Sequence, residues 1–427
     1  MRRCAKKPKK RTLKQTMESV ELPPTATPPS GDKTPKRQNK ETVMHSGKKI
    51  KNKEKSPGNG SLKKRKRKHM TKKTQKDESL GPERQLKMGT VIRSKKREYG
   101  VFRVIGHGTF GNVYEIRDKQ GKLYAMKTES VSEFPKGRLT YEIVAYELIT
   151  KQKKQNPETV SHLLSMQDYG VDLSYRFVVM TYAGSNLEDL LREMDISIKT
   201  AVRLCIQSFE AIQQLHKIGF LHRDIKPANF VIGKESLDQR QLYLVDHGMG
   251  LHYTVFSTHT PEQSCFKFVG TLTYASRAAH LSNMQGRKDD LESWFYMCLE
   301  FFDSDILPWA KECCEKKCGE MKKKLFREPL GYLREMPTCF QYFPMLINAM
   351  ETDDEPKYNT FKEVLMTLAL SEQVDFDEPF EWETASQNER APSKNAKDKN
   401  DHGYVFLNAL RNGDDQPKQG TPKKKQA

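Results

Sequence analysis

Alternating apolar and polar positions begin near Tyr99 and run through Val101, Val104, Val113 and Ile116 to Leu123 and Ala125. That period predicts β-strands. Asp118-Lys119-Gln120-Gly121 separates two of these runs and reads as a hairpin turn, its glycine free to take positive φ. The spacing then changes. Val202, Ile206, Phe209, Ile212 and Leu215 recur at three and four residues, which predicts a helix with one apolar face. Leu291 to Phe301 also reads as helix, and the last helix is expected to end near Leu370. A strand-rich part followed by a helix-rich part predicts an α+β fold with two lobes.

The ends of the chain follow another pattern. Residues 1–95 are rich in Lys, Pro, Ser and Thr and poor in large apolar residues. Such a segment cannot bury enough apolar surface to offset its chain entropy, so a disordered basic tail is expected there. Residues 98–370 are expected to form the folded domain. In residues 371–427, an acidic stretch with interleaved Phe and Trp from Glu372 to Glu383 precedes a polar, Lys-rich end, and this tail is expected to be largely disordered.

Charge sharpens this division. Residues 1–90 hold 28 Lys and Arg against 8 Asp and Glu, a net of +20, whereas the whole chain of 427 residues carries +19. The remaining residues therefore sum to −1, and the basic character belongs to the tail. Within it, Lys63-Lys64-Arg65-Lys66-Arg67-Lys68 is an unbroken cationic run, read as a nuclear-import signal or a polyanion-binding patch, with a plain solvated tail as the alternative. Thr27-Pro28, Thr34-Pro35 and Ser56-Pro57 are candidate phosphorylation sites that would offset part of this charge.

No run reaches the roughly 18–20 apolar residues of a membrane span. Trp294 to Phe302 comes nearest and is broken by Glu300. No apolar run follows the N-terminal cations, so no secretory signal is expected. The expectation is a soluble protein of nucleus and/or cytoplasm without a membrane partner. Cys313, Cys314 and Cys318 cluster without a CxxC pair or nearby His pair and are expected to be reduced thiols.

Four motifs carry candidate chemistry. Gly106-His107-Gly108-Thr109-Phe110-Gly111-Asn112-Val113 has the form GxGxxGxV between two predicted strands. A dinucleotide loop would instead open a helix. Glycines there let backbone N–H groups approach phosphate oxygens. Lys127 follows on the next strand, 16 residues after Gly111, placed to reach phosphates. Its acidic partner should sit on a helix. Glu142 fits the helical phase, with Glu147 as the competing candidate. His222-Arg223-Asp224-Ile225-Lys226-Pro227-Ala228-Asn229 is the most specific string. Asp224 is expected to take the proton of an attacking hydroxyl, Lys226 to neutralise charge on the γ-phosphoryl group, and Asn229 to offer Mg²⁺ an oxygen. Asp246-His247-Gly248 stands where a DFG metal motif would, with His247 replacing the phenylalanine.

In this order the motifs resemble those of eukaryotic protein kinases over residues 98–370. Gly184-Ser185-Asn186-Leu187-Glu188-Asp189-Leu190, Gly270-Thr271-Leu272-Thr273-Tyr274-Ala275-Ser276, Asp289-Asp290-Leu291-Glu292-Ser293 and Leu307-Pro308-Trp309 narrow the likeness to the casein kinase 1 superfamily, nearest the tau-tubulin kinase branch. The resemblance implies a small N-lobe with a five-stranded sheet and one main helix, and a larger helical C-lobe. It implies ATP and Mg²⁺, and a protein substrate with a Ser or Thr acceptor. Adenine would lie against Ile105, Val113 and Ala125, with Met180 as gatekeeper and Tyr182 and Ala183 as hinge; Gly106, Gly108, Phe110 and Gly111 would cover the phosphates. Thr271 would bond near the catalytic aspartate, and Asp290 would anchor the catalytic loop.

The chain departs from the family at two further points: Thr273 replaces an arginine that binds a primed substrate, and Thr181 replaces the usual acidic hinge residue. Lys316, Lys317 and residues 322–324 offer either another basic patch or a solvated helix. The leading expectation is an active Ser/Thr kinase. A catalytically silent kinase scaffold and a polyanion-binding protein acting through residues 1–90 are the alternatives. The sequence leaves substrate, oligomeric state and the roles of Thr254, Ser257, Thr258 and Thr260 open.

Overall fold

The computed structural model describes residues 85–108, 111–132, 137–234, 237–253 and 268–384. Outside these lie the basic run at 63–68, the three Ser/Thr-Pro sites, Thr109 and Phe110, the activation-segment Thr254, Ser257, Thr258 and Thr260, and the end of the chain from 385.

The strand periodicity becomes a single antiparallel sheet. Its strands are β1 (Val91–Arg93), β2 (Glu98–Gly108), β3 (Gly111–Asp118), β4 (Leu123–Ser130), β5 (Met166–Asp172) and β6 (Tyr175–Thr181), in the order β1-β2-β3-β4-β6-β5. The β3–β4 turn forms as expected, with Gly121 at φ 81° and the Asp118 carboxylate accepting from the backbone of Gln120 and Lys122. The sheet has one strand more than expected, and the fold starts earlier than residue 98. Leu86 and Ile92 are buried with Tyr99, Val101, Tyr114, Ile116 and Phe177 under the sheet. A strand of three residues has too short a period to stand out among the tail's lysines.

Helix α1 (Arg138–Gln155) crosses this sheet. Its N-terminus is held by a strand residue: the buried Glu129 carboxylate accepts from the backbone N–H of Arg138 at 2.7 Å and of Leu139 at 3.3 Å. An anion there also complements the helix dipole. Arg176 on β6 pairs with the same carboxylate at 2.9 Å. A Cβ at Gly137 would fall 1.9 Å from the Arg176 guanidinium and 2.3 Å from the Glu129 carboxylate, so the chain turns into α1 through glycine.

The remaining helices are α2 (Leu187–Glu193), α3 (Ile198–Lys217), α4 (Arg277–His280), α5 (Arg287–Phe302), α6 (Glu315–Arg327), α7 (Pro329–Tyr332), α8 (Tyr342–Asn348) and α9 (Tyr358–Ser371). Short strands β7 (Phe220–Leu221), β8 (Phe230–Ile232), β9 (Leu242–Leu244) and β10 (Leu251–His252) form two small ladders, β7 with β10 and β8 with β9. The predicted helix at 202–215 is the buried α3, capped by the Ser197 hydroxyl accepting from Thr200 N–H. Trp294, Phe295 and Tyr296 of α5 are fully buried, so the most apolar run of the chain is core. No helix among the described residues is long and apolar enough to cross a membrane.

One apolar cluster joins α1 and β6 to these helices. It runs from Leu139, Tyr146 and Ile149 through Val178 and Met180 to Leu204, Phe230, Trp294 and Phe361. The two lobes thus share packing at α1. The same cluster reaches Phe380 and Trp382, beyond the expected end of order at 370. Their rings stack at 4.3 Å, and the Arg203 guanidinium lies 3.6 Å from the Phe380 centroid.

Candidate active site

The catalytic-loop string is fixed from below. Asp290, in the first turn of α5, accepts at Oδ2 from His222 N–H and at Oδ1 from Arg223 N–H, both at 2.8 Å. His216 at the end of α3 bonds the same carboxylate at 2.9 Å and the Tyr358 hydroxyl at 2.8 Å. Burial pushes the Asp290 pKa up, and His216 and His222 more than reverse this, so it stays an anion below the ordinary range. These bonds hold Arg223 at φ 63°, a left-handed conformation costing about 1–3 kcal/mol for a residue with a Cβ. Arg223 also donates from Nε to the Met249 carbonyl at 2.7 Å.

The loop then presents three side chains together. Lys226 Nζ lies 2.9 Å from Asp224 Oδ2 and 3.0 Å from Thr271 Oγ1. The Thr271 hydroxyl donates to Asp224 Oδ1 at 2.7 Å. Asn229 donates through Nδ2 to the Asp224 carbonyl at 2.8 Å, which turns its amide oxygen the other way. Asn229 immediately precedes β8, and Asp246 follows the end of β9. Phe230 faces Leu244 in that ladder, and Val245 N–H donates to the Asn229 carbonyl at 2.9 Å. The hairpin therefore brings an amide oxygen and a carboxylate to one end.

The upper half of the site comes from the N-lobe. Lys127 lies mid-sheet, opposite Val113 on β3 and Val178 on β6. Its ammonium is 2.8 Å from Glu142 Oε2 on α1 and 2.6 Å from Asp246 Oδ1. Of the two acidic candidates, the fully buried Glu142 is the partner and Glu147 faces solvent. Burial works against the Lys127 charge, but Asp246 and Glu142 outweigh it and raise its pKa. For Asp246, which is only partly buried, the desolvation is likewise outweighed by Lys127, and its carboxyl is held below the ordinary range. The Asp246 side chain stays 47 % exposed, so an oxygen remains open to a cation. Asp246 also sits at φ 62°, a second left-handed residue at the site. An anionic carboxylate and an amide oxygen at the end of one hairpin are the hard donors that Mg²⁺ prefers.

Two of the loop glycines do different jobs. A Cβ at Gly111 would fall 1.7 Å from the Thr128 carbonyl oxygen, so that position is closed by the sheet itself. At Gly106 it would meet only Val113, at an ordinary 3.6 Å, so glycine there leaves space on the cleft side. Ile105 is half-exposed on β2, and Val113 and Ala125 follow on β3 and β4. Met180 pairs with Ala125 across β4–β6, and its sulfur accepts from the Tyr146 hydroxyl at 2.8 Å. Tyr182 is buried, its phenol donating to Glu115 at 3.1 Å, and Ala183 is partly buried beside it. Phe110 lies outside the described residues.

His247 is fully buried among three rings: Tyr146 of α1 at 5.2 Å, Phe220 at 6.5 Å and His222 at 5.5 Å, each edge-on. Neither ring nitrogen has a hydrogen-bond partner among the described residues. Burial, with the His222 charge adding to it, pushes its pKa down to about 3. The imidazole is therefore neutral and packs as an aromatic ring between lobes.

One expectation fails outright. Lys322, read with its neighbours as surface charge, has 0 % exposure and donates to backbone carbonyls. Glu129, which sets α1 and so Glu142, was also missed by sequence reasoning. A lone strand glutamate carries no motif, although its place nine residues before the start of α1 was available.

Residues 99–365 match the family described as Protein kinase domain. A Dictyostelium discoideum protein named as a serine/threonine-protein kinase is 30% identical over 305 residues, covering 69% of this chain and 58% of the relative. That last share is under two thirds of the relative's length. Two Caenorhabditis elegans proteins named as serine/threonine-protein kinases are 32% identical over 274 residues and 28% identical over 322. These cover 63% and 72% of this chain, and 80% and 79% of the relatives. The solved structure of vaccinia related kinase 3 superposes with a TM-score of 0.59 at 20% identity, over 69% of this chain and 94% of that one, a likeness of fold. The chain belongs to the protein kinase family, and its kinase domain is of the serine/threonine class.

Proposed function

We propose that this chain transfers the γ-phosphoryl group of ATP to Ser and Thr hydroxyls of protein substrates through Asp224, Lys226, Thr271, Lys127 and Glu142, with Mg²⁺ held by Asn229 and Asp246. The observation that carries this reading is the convergence of Lys127, Glu142 and Asp246 within 2.8 Å contacts, beside the Asp224–Lys226–Thr271 cluster. Asp224 takes the proton of the acceptor hydroxyl as its oxygen bonds to phosphorus and the bond to the β-phosphate oxygen breaks, releasing ADP. Thr271 and Lys226 fix the Asp224 carboxylate, and Lys226 also stabilises charge on the transferring group. Lys127, oriented by Glu142, reaches the non-transferred phosphates. When bound, Mg²⁺ neutralises charge on the phosphate oxygens.

The finer kinship we propose is the casein kinase 1 superfamily near the tau-tubulin kinase branch, supported by the strings at 270–276, 289–293 and 307–309. Thr273 in place of the arginine supports substrates that need no prior phosphate. The +20 charge of residues 1–90 supports salt-dependent binding of a polyanion and a nuclear or cytoplasmic location.

A peptide array with purified full-length chain tests these points together. Label is expected on Ser and Thr peptides without phosphate upstream, and not on Tyr peptides. An Asp246→Ala control should be silent. Label confined to phosphate-bearing peptides would refute unprimed recognition, and label equal in the control would refute the metal assignment. Polyanion binding that survives removal of residues 1–90 would refute the tail's role.

A further inference from the structure

The buried face of α6 is formed by Cys318, Gly319, Lys322, Leu325 and Phe326. A lysine is foreign to such a face, since an ammonium closed off from water costs free energy unless its protons are taken up. Here they are taken up by main chain. Lys322 Nζ donates to the Leu272 carbonyl at 2.9 Å and the Ala275 carbonyl at 2.6 Å, and lies 3.0 Å from His280 Nε2. The rings of Tyr296 and Trp309 flank it at 5.0 and 5.6 Å. The intervening Thr273 carbonyl accepts from the Trp309 indole N–H at 2.8 Å.

Three carbonyls within four residues are thus held from the C-lobe side. They belong to the segment that opens with Thr271, whose hydroxyl bonds to both Asp224 and Lys226. The segment's far end is tied as well: the Ser276 hydroxyl caps α4, and Arg277 pairs with Glu292 at 3.1 Å. Between these ends Lys322 and Trp309 supply the hydrogen bonds to the segment's carbonyls. Burial lowers the Lys322 pKa to about 7 despite the pull of Glu292 and Cys318, so the charge costs stability in neutral solution. An unbranched apolar side chain would fill the space without that cost but would leave the Leu272 and Ala275 carbonyls unbonded.

We propose that Lys322 is a positioning residue for phosphoryl transfer: by holding the Leu272 and Ala275 carbonyls it fixes the segment that sets Thr271 against Asp224 and along which the acceptor Ser or Thr is presented. The role rests on the kinase reading. It acts through Thr271 and Asp224 and not on the binding of ATP, because no bond of Lys322 reaches Lys127, Asp246 or the glycine strands.

Steady-state kinetics of the full chain test this, varying peptide and ATP separately in wild type, Lys322→Met and Lys322→Arg. Lys322→Met is expected to lower kcat/KM for the peptide about 10- to 100-fold, the scale produced by misplacing a catalytic group by ~1 Å. The KM for ATP should stay at its wild-type value. Lys322→Arg, which keeps the charge and the N–H donors, should recover part of the loss. If Lys322→Met does not fold, Trp309→Phe removes one N–H from the same segment and should show the same peptide-only defect. A folded Met variant with unchanged peptide kinetics would overturn the proposal, as would a KM for ATP that rises in step with the loss toward peptide. A wild-type protein without transfer would instead overturn the kinase reading itself.

Discussion

Two polar side chains at the heart of this molecule are sealed from water and are treated in opposite ways. His247 has no hydrogen-bond partner at either ring nitrogen among the described residues and survives burial by staying neutral. Lys322 keeps its protons bonded to two carbonyls and an imidazole. The second arrangement makes stability depend on pH. The folded Lys322 pKa is about 7, against an ordinary 10.5. Between those values the unfolded chain binds the extra proton, so stability rises with pH across that window; below pH 7 both states are charged and the burial cost is complete. His280 on α4, Glu292 and Tyr296 on α5, Trp309 and Cys318 all face this ammonium. They are present in both wild type and Lys322→Met, so the difference between the two isolates Lys322. Urea unfolding should show wild type gaining on the variant by roughly 1 kcal/mol per pH unit above pH 7. A difference that stays flat to pH 9 would contradict the lowering of the Lys322 pKa by burial. Most residues proposed for phosphoryl transfer were legible because they sit in strings whose spacing is set by chemistry, and Glu142 was singled out by helical phase alone. Lys322 was not, because one lysine among five on a charged helix carries no sign of which way it points.

Among the elements, the central strands and α3 follow from period alone, since each has one face toward a core. α1 does not follow so readily. Tyr141 and Val144 are exposed on its outer side while Glu142 is buried on the inner, so apolar spacing does not mark the face. Residues 372–384 are a third case. They have no helical or strand period, and acidic residues surround the two aromatics. Order there comes from specific contacts. The Glu381 carboxylate accepts from Ser197 N–H at 2.7 Å and the Thr200 hydroxyl at 2.8 Å, at the start of α3. Arg240 pairs with Glu383 at 2.9 Å, and Arg203 lies over Phe380. Since Phe380 is only 1 % exposed, Phe380→Ala should lower unfolding free energy by about 3 kcal/mol. A loss under about 0.5 kcal/mol, the scale of ordinary surface changes, would mean that this strap is not part of the fold.

For the molecule as a whole, charge and catalysis are segregated. The +20 segment lies in residues 1–90, and the phosphoryl-transfer groups lie between Lys127 and Thr271. The sequence predicted two lobes from the change of period. It did not predict that α1 would belong to both, packing through Leu139, Tyr146 and Ile149 into the apolar cluster of the C-lobe. That packing depends on residues distant in the chain, and it carries Glu142 to Lys127. The account stands or falls on whether those converging groups perform transfer and not merely binding. The most direct measurement is transfer of labelled γ-phosphate from ATP to a Ser peptide by Asp224→Asn, with ATP–Mg²⁺ binding followed by thermal shift in the same samples. Transfer should fall about 10²- to 10⁴-fold, as for loss of a general base, with the nucleotide-induced shift retained. Undiminished transfer in the Asn variant would contradict the account.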